Sequence, residues 1–285
     1  MAFLTASTAP LAAAAGAWAG VAVTGSDGSA GTSSGLRAAA AATASSEIAT
    51  LNTFGASTAA NDVRQWLGAT TGALKDDIAA SEAATVDRIT ADGASARGTV
   101  TDLAFVSFDA AAAGAKVIAA VRVDVVPKSG ASASDRRRLA ADLTRTAVGW
   151  RLASLTAIPA GAPPSGDVGA NPVLSYTATV LGEVFSYSPD SPPSASPDLE
   201  GTAADQYRAV AGGLAPQIRA QGLTLTTHVV AAGVTSQDSD SARVLAFVDQ
   251  TSTRNGASPT VAAGAVAVTL RLRAGRWRIV SLTAE

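Results

Sequence analysis

The sequence predicts an α+β fold built twice over its 285 residues. Three observations lead there. Each half opens with apolar residues at helical spacing and then changes to a period-two alternation, the pattern of strands with one buried face. A stretch dense in Pro and Gly separates the halves. Blocks of the first half return in the second at a constant offset. The expected layout is an anchor-like or signal-like segment with a flexible spacer over 1–35, a first domain over 36–159, a linker over 160–171 and a second domain over 172–285. In each domain, helices lie on a bent antiparallel sheet.

Met1 to Ser26 carries no charge. Its most apolar part runs from Leu11 to Val23 and admits three readings: a weak transmembrane anchor, a signal peptide cleaved near Ala17-Trp18-Ala19, or an Ala-rich start without structure. No Lys or Arg precedes it, and Ala and Gly give little transfer energy. Gly25 to Gly35 reads as a spacer. Leu36, Ala40, Ala44, Ile48 and Leu51 mark a helix. Val63, Trp66 and Leu67 mark a second, with Asn61-Asp62 as its expected cap. Leu74, Ile78, Val86 and Ile89 mark a third, ending at Asp92-Gly93. Strands are expected over 99–109, 117–126, 139–146 and 149–155. Val117, Ala119, Val121, Val123 and Val125 fall on one face.

After the linker, Leu174, Ala178, Leu181 and Phe185 predict a helix, Ser186 to Pro197 a surface loop, and Tyr207, Val210, Leu214 and Ile218 another helix. The clearest strands follow. Arg243 to Thr251 turns at Arg254-Asn255-Gly256 and returns as Val266 to Arg273. The chain then turns tightly at Ala274-Gly275 into Arg276 to Leu282.

The repeat rests on two blocks. Gly149-Trp-Arg-Leu-Ala-Ser-Leu-Thr-Ala157 matches Arg276-Trp-Arg-Ile-Val-Ser-Leu-Thr-Ala284, and Lys116 to Val121 matches Arg243 to Val248. Trp150 answers to Trp277 and Val117 to Val244, so both blocks recur at one spacing. A period of that length is a duplicated domain rather than a solenoid unit.

Composition narrows the chemistry. Lys and Arg number 21 against 23 Asp and Glu, a net charge of −2, so no basic field suits a nucleic-acid backbone. The Arg136-Arg137-Arg138 run reads as a solvated turn or strand edge. With Cys 0 and His 1, disulfides, thiolate metal sites and histidine clusters are absent from the sequence. His228 is placed at the entry to a strand as a surface or capping residue. Asp249 shares a strand face with Arg243, Leu245 and Phe247, and its expected partner is a cross-strand arginine such as Arg271. Arg122 occupies the matching position in the first half, an exchange of charge that permits contact between the copies. Asp76-Asp77 reads as solvated helix surface, and Trp150 and Trp277 as core rather than as walls of a ligand pocket. No catalytic, cofactor-binding or metal-ligating residues are assigned.

Ala231 to Val234, Asp240 to Thr251, Val268-Thr269-Leu270 and Gly275-Arg276-Trp277 carry a family likeness. Through them the second half, over roughly 172–285, resembles the NTF2-like domain of the actinobacterial Mce-associated membrane proteins. The first half, roughly 36–159, resembles the same fold more faintly. The resemblance implies two tandem NTF2-like cones, an N-terminal tether, an extracytoplasmic location at the cell membrane, and a non-enzymatic accessory or assembly role in an Mce-type lipid transport system. Its implied partners are envelope transport-complex proteins. An apolar ligand in the cone and an intramolecular pseudo-dimer, with the two sheets packed together, are also entertained. Tandem domains of this kind are similar in architecture to the conjugative-transfer channel component of the TcpC type. A small-molecule-binding or enzymatic NTF2-like protein is the remaining alternative.

Overall fold

The computed structural model describes residues 28–255 and 257–285. Leu11 to Val23 therefore lies outside the described residues, and so does the turn residue Gly256. The first half contains α1 (Gly28–Leu51), β1 (Phe54–Gly55), α2 (Ala59–Ala69), α3 (Gly72–Ala80), α4 (Glu82–Asp92), β2 (Ser95–Asp109), β3 (Gly114–Val126), β4 (Ala133–Thr146) and β5 (Gly149–Ala157). A 3₁₀ turn, Gly166–Ala170, lies in the connection. The second half contains α5 (Pro172–Val184), α6 (Gly201–Gln221), β6 (Thr224–Gln237), β7 (Ser241–Thr253), β8 (Thr260–Arg273) and β9 (Arg276–Ala284). The fold is α+β.

Several boundaries differ from expectation, each for a local reason. α1 begins at Gly28, inside the stretch read as a spacer. α2 starts at Ala59, ahead of the expected Asn61-Asp62 cap. Asp62 instead accepts from Thr58 Oγ1 (2.7 Å) and from the backbone N–H of Gly55 (2.9 Å), tying the turn in front of the helix. The expected third helix is two, α3 and α4. They break at Ser81, whose hydroxyl donates to the Asp77 carbonyl and competes with the helical ladder. α4 ends at Gly93 with φ 65°, where the sequence put it. α5 starts on Asn171, whose Oδ1 accepts from Val173 N, with Pro172 in the first turn. In α6 the buried residues are Ala203, Tyr207 and Ile218, whereas Val210 is 57% exposed, so its place in the apolar stripe is corrected. The Arg136–Arg138 run lies inside β4, an interior strand, rather than in a turn or at a strand edge, and His228 lies within β6 rather than at its entry.

Each half is a four-strand antiparallel meander, and the strand order is β5-β4-β3-β2-β6-β7-β8-β9, with β1 beside β2. Helix α1 lies on β2 and β5 and α5 on β6, while α3 lies on β5 as α6 lies on β9. The registers of the halves coincide in detail. β4 and β5 slip at Asp142/Leu143, and β8 and β9 slip at Thr269/Leu270, the equivalent positions of the repeat. Ile158 N donates to Arg138 O, and their equivalents repeat the bond, Glu285 N to Ala265 O. β2 bulges after Val100 and Phe105, and β6 bulges after Val229 and Val234, again a matched pair. For these two strands the spacing between equivalents is slightly larger than for the blocks that follow. The difference is absorbed in the β2–β3 hairpin, which is longer than the β6–β7 hairpin between equivalent residues.

Alternation along the strands sorts the strand residues into three apolar clusters, beside a fourth, of Ala59, Val63 and Ile89, among the helices of the first half. On the helix side of the first sheet, Val117, Ala119, Val121, Leu152 and Trp150 pack with Ala40, Ala44 and Ile48. On the helix side of the second, Val244, Val268, Leu270 and Ile279 pack with Leu174 and Leu181. These side chains fill the space between the helices and the strands in each half. The opposite faces, carrying Ala104, Ile118, Ala120, Val230, Leu245 and Phe247, form a third cluster that holds the halves together. Trp150 is core, as expected, and Trp277 packs against the second core while half-buried.

A candidate interaction site at the seam between the halves

The seam starts from one backbone contact. Phe105 of β2 bridges Val234 of β6 in antiparallel register. These two residues occupy matching places, each at a bulge of its own strand. The expectation was two sheets packed face to face; they are also joined edge to edge at this point. Gly233 permits the approach. A Cβ there would sit 3.0 Å from Ala104 Cβ and 3.0 Å from the carbonyl carbon and oxygen of Phe105.

At the seam lies a buried ion pair. Arg138 Nη1 donates to Asp249 Oδ1 (2.6 Å), and the two side chains are 8% and 6% exposed. Arg138 also donates to the carbonyls of Val248 (3.2 Å), Ile158 (3.3 Å) and Pro159 (2.7 Å), while Asp249 Oδ2 accepts from Gly161 N (2.6 Å). The guanidinium lies 5.8 Å from the centroid of the Phe247 ring. The pair thus joins β4, β7 and the connection between the halves, and four further hydrogen bonds hold it there.

This corrects the sequence reading of Asp249. Its partner is not Arg271, which pairs with Asp240 at an exposed site (3.7 Å). Arg122, the residue matching Asp249, pairs with its neighbour Asp124 in solvent. Of the arginine run, Arg137 pairs with Asp135, and Arg138 is the buried member. Strand parity held the missed signal, because Arg138 faces the same way as Ala140, toward the seam. His228 is exposed and sits opposite Asp249 in register. Asp76 and Asp77 are exposed on α3.

Three further polar groups escaped sequence reasoning. Glu47 of α1 is buried; Arg151 Nη1 donates to its Oε1 (3.2 Å) and Leu152 N to its Oε2 (3.0 Å). Burial pushes its carboxyl up to about 7, against the opposing pull of Arg151 and the Leu152 N–H. Arg278, the equivalent of Arg151, makes the matching contact with Asp198 (2.7 Å). Asp102, on β2, has its carboxyl raised by burial, with the Leu103 N–H and Arg243 acting against the shift. Arg37 of α1 crosses to the other half, donating from Nη2 to the Val234 carbonyl (3.0 Å) and stacking 4.3 Å from the centroid of the Phe105 ring.

Two half-open cavities flank the seam. One, of about 340 Å³, runs between Lys116, Asp142, Thr156 and Ile158 on one side and Val230 on the other, with Pro163 of the connection beside it. The second, of about 310 Å³, is headed by Arg37 and walled by Phe105 and Phe108. The seam offers a mixed polar and apolar surface assembled from both halves. Among the described residues no helix is long and apolar enough to cross a membrane.

No protein-family model matches the chain. A curated relative is the uncharacterized protein Rv1362c of Mycobacterium tuberculosis, 41% identical over 71 residues, which are 25% of this chain and 32% of that protein. The chain therefore spans about a third of the length of the relative it matches. Among solved structures it is similar to CagV, a VirB8 homolog of the type IV secretion system of Helicobacter pylori. That likeness has 6% identity and a TM-score of 0.35, and covers 42% of this chain and 96% of that one. It is also similar to an IcmL-like type IV secretion system protein from Legionella pneumophila (15% identity, 45% and 96% covered, TM-score 0.35). A third is an Ntf2 like protein involved in plasmid conjugation (11% identity, 88% and 97% covered, TM-score 0.32).

Proposed function

We propose that the chain is a non-enzymatic protein of the cell envelope, a two-cone scaffold acting as an accessory or assembly subunit of an Mce-type lipid transport system. The observation that carries the non-enzymatic part is the filling of both cones. Leu174, Leu181, Leu270 and Ile279 occupy one interior, and Ile48, Val117 and Leu152 the other, each at 1% exposure or less. Catalysis inside such a cone needs a space where polar groups converge on a substrate. The surfaces assembled from both halves, by contrast, suit contact with other proteins.

The transport-system part rests on the residues Asp240 to Thr251 and Gly275 to Trp277, shared with the Mce-associated pattern. Attachment through the segment at Leu11 to Val23, with both cones on the extracytoplasmic side, belongs to this reading.

The test is purification of the native protein from detergent-solubilised envelope, with co-purifying proteins identified by mass spectrometry. Recovery of Mce substrate-binding proteins or their permease is the expected result. Recovery of a conjugation ATPase would move the assignment to a transfer channel. A native protein found wholly in the cytosolic fraction would overturn the envelope reading.

A further inference from the structure

The cavity at Arg37 gathers a cation, several polar groups and two aromatic rings. Among the described residues no carboxylate pairs with Arg37, and the cavity lining contains neither Asp nor Glu. The side chain is partly buried, and that burial alone lowers its pKa. Val234 O accepts from one of its five N–H groups, and the Phe105 ring covers one face of the guanidinium. The other polar groups of the lining, Ser107, Asn171 and Gln237, can all donate. Asn171 has its oxygen occupied by Val173 N, so what it presents is an amide NH₂. Donors therefore converge around a cation that lacks its counter-charge. The walls beside them are aromatic, Phe105 and Phe108 meeting edge to face at 5.6 Å.

We propose that this cavity binds an amphiphilic oxyanion, a carboxylate or phosphate on an apolar stem, with Arg37, backed by the buried Phe105 ring, clamping the head and Phe108 lying against the stem. A guanidinium presents a planar fork that matches either oxyanion through paired charge-assisted bonds. The space, about 310 Å³ and open on one side, admits a head and several carbons of chain while the remainder projects outward. The head's two sources, a soluble acid or a lipid headgroup, share this chemistry.

The experiment titrates the full chain by calorimetry with octanoate, octyl phosphate and octanol. Binding of one or both oxyanions, with octanol much weaker, is expected. Arg37→Gln should weaken the oxyanion by at least about tenfold, since a charge-assisted pair is lost. Arg37 also ties α1 to β6, so a second variant is needed that leaves that contact alone. Ser107→Glu, at an exposed position of the lining, supplies the missing negative charge from within and should abolish binding at an unchanged melting temperature. Flotation with phosphatidylglycerol vesicles separates the sources. Capture that octyl phosphate competes away assigns a lipid headgroup, and oxyanion binding without capture assigns a free acid. Octanol binding as well as octanoate, oxyanion binding unchanged in either variant, or no binding of either oxyanion would overturn the proposal.

Discussion

Truncating Asp249 to Ala leaves Arg138 charged, buried and without its carboxylate. Removing one partner of such a pair typically costs about 3–5 kcal/mol, far more than the pair's net contribution, because the remaining charge stays out of water. Asp249→Ala and Arg138→Ala should each lower stability in urea unfolding by about that much. The double change Arg138→Met with Asp249→Leu should recover most of the loss. A double variant as unstable as the sum of the singles would show that the two groups act independently. Glu47 makes a prediction in pH. Its carboxyl titrates near 7 in the folded chain, above its ordinary value of 4.5, so the fold favours the protonated form. Stability from this group is therefore complete below about pH 4.5 and is lost as pH rises through 7. Thermal unfolding from pH 5 to pH 8 should show a steeper fall for the native chain than for Glu47→Gln, and parallel curves would remove Glu47 from the account.

At the scale of elements, the turn between β8 and β9 holds Ala274 at φ 48° and Gly275 at φ 75°. Two positive values match the twist of a tight hairpin, but the first strains a residue with a Cβ. Ala274→Asn should raise stability by about 0.5–1 kcal/mol, read as a shift in the unfolding midpoint at constant slope. The β2–β6 crossing predicts the reverse. Gly233→Val drives a branched side chain into the Phe105 backbone, which has no rotamer by which to yield. The expected outcome is loss of about 1–3 kcal/mol and faster protease cleavage between residues 158 and 171. An unchanged cleavage pattern would mean that the crossing does not hold the connection in place.

Across the whole molecule, the apolar cluster of Ile118, Leu245 and Phe247 leaves a greasy sheet face on either half if they are parted. Each half expressed alone should be less soluble and unfold at lower urea than the intact chain; halves that match it would remove the seam from the stability of the fold. Much of this architecture was legible in the sequence. The period change from helix to strand, the Trp-Arg block and its offset, and Gly93 as a helix end all rest on local chemistry that the chain carries wherever it folds. The polar contacts were not legible, because they depend on which strands meet across the seam. Asp249 has arginines on the adjacent strand β8 and pairs with none of them. Glu47 sits near the apolar stripe of Ala44 and Ile48, a position that signals burial but not its partner. Val210 failed for the opposite reason: helical spacing does not say how wide a face the sheet can cover.

The two halves are alike in register but not in charge, and this bears on which surfaces can recognise one another. The residue matching Asp249 is Arg122, and the residue matching Arg138 is Ala265. Were a first half to meet the first half of another molecule in the same geometry, Arg138 would confront Arg122. Were two second halves to meet, Asp249 would face the methyl group of Ala265 and stay buried without a cation. Both homotypic unions are penalised, and only the unlike union satisfies the charge. The difference in charge between the copies thus favours pairing of each half with its complement over pairing with its own kind.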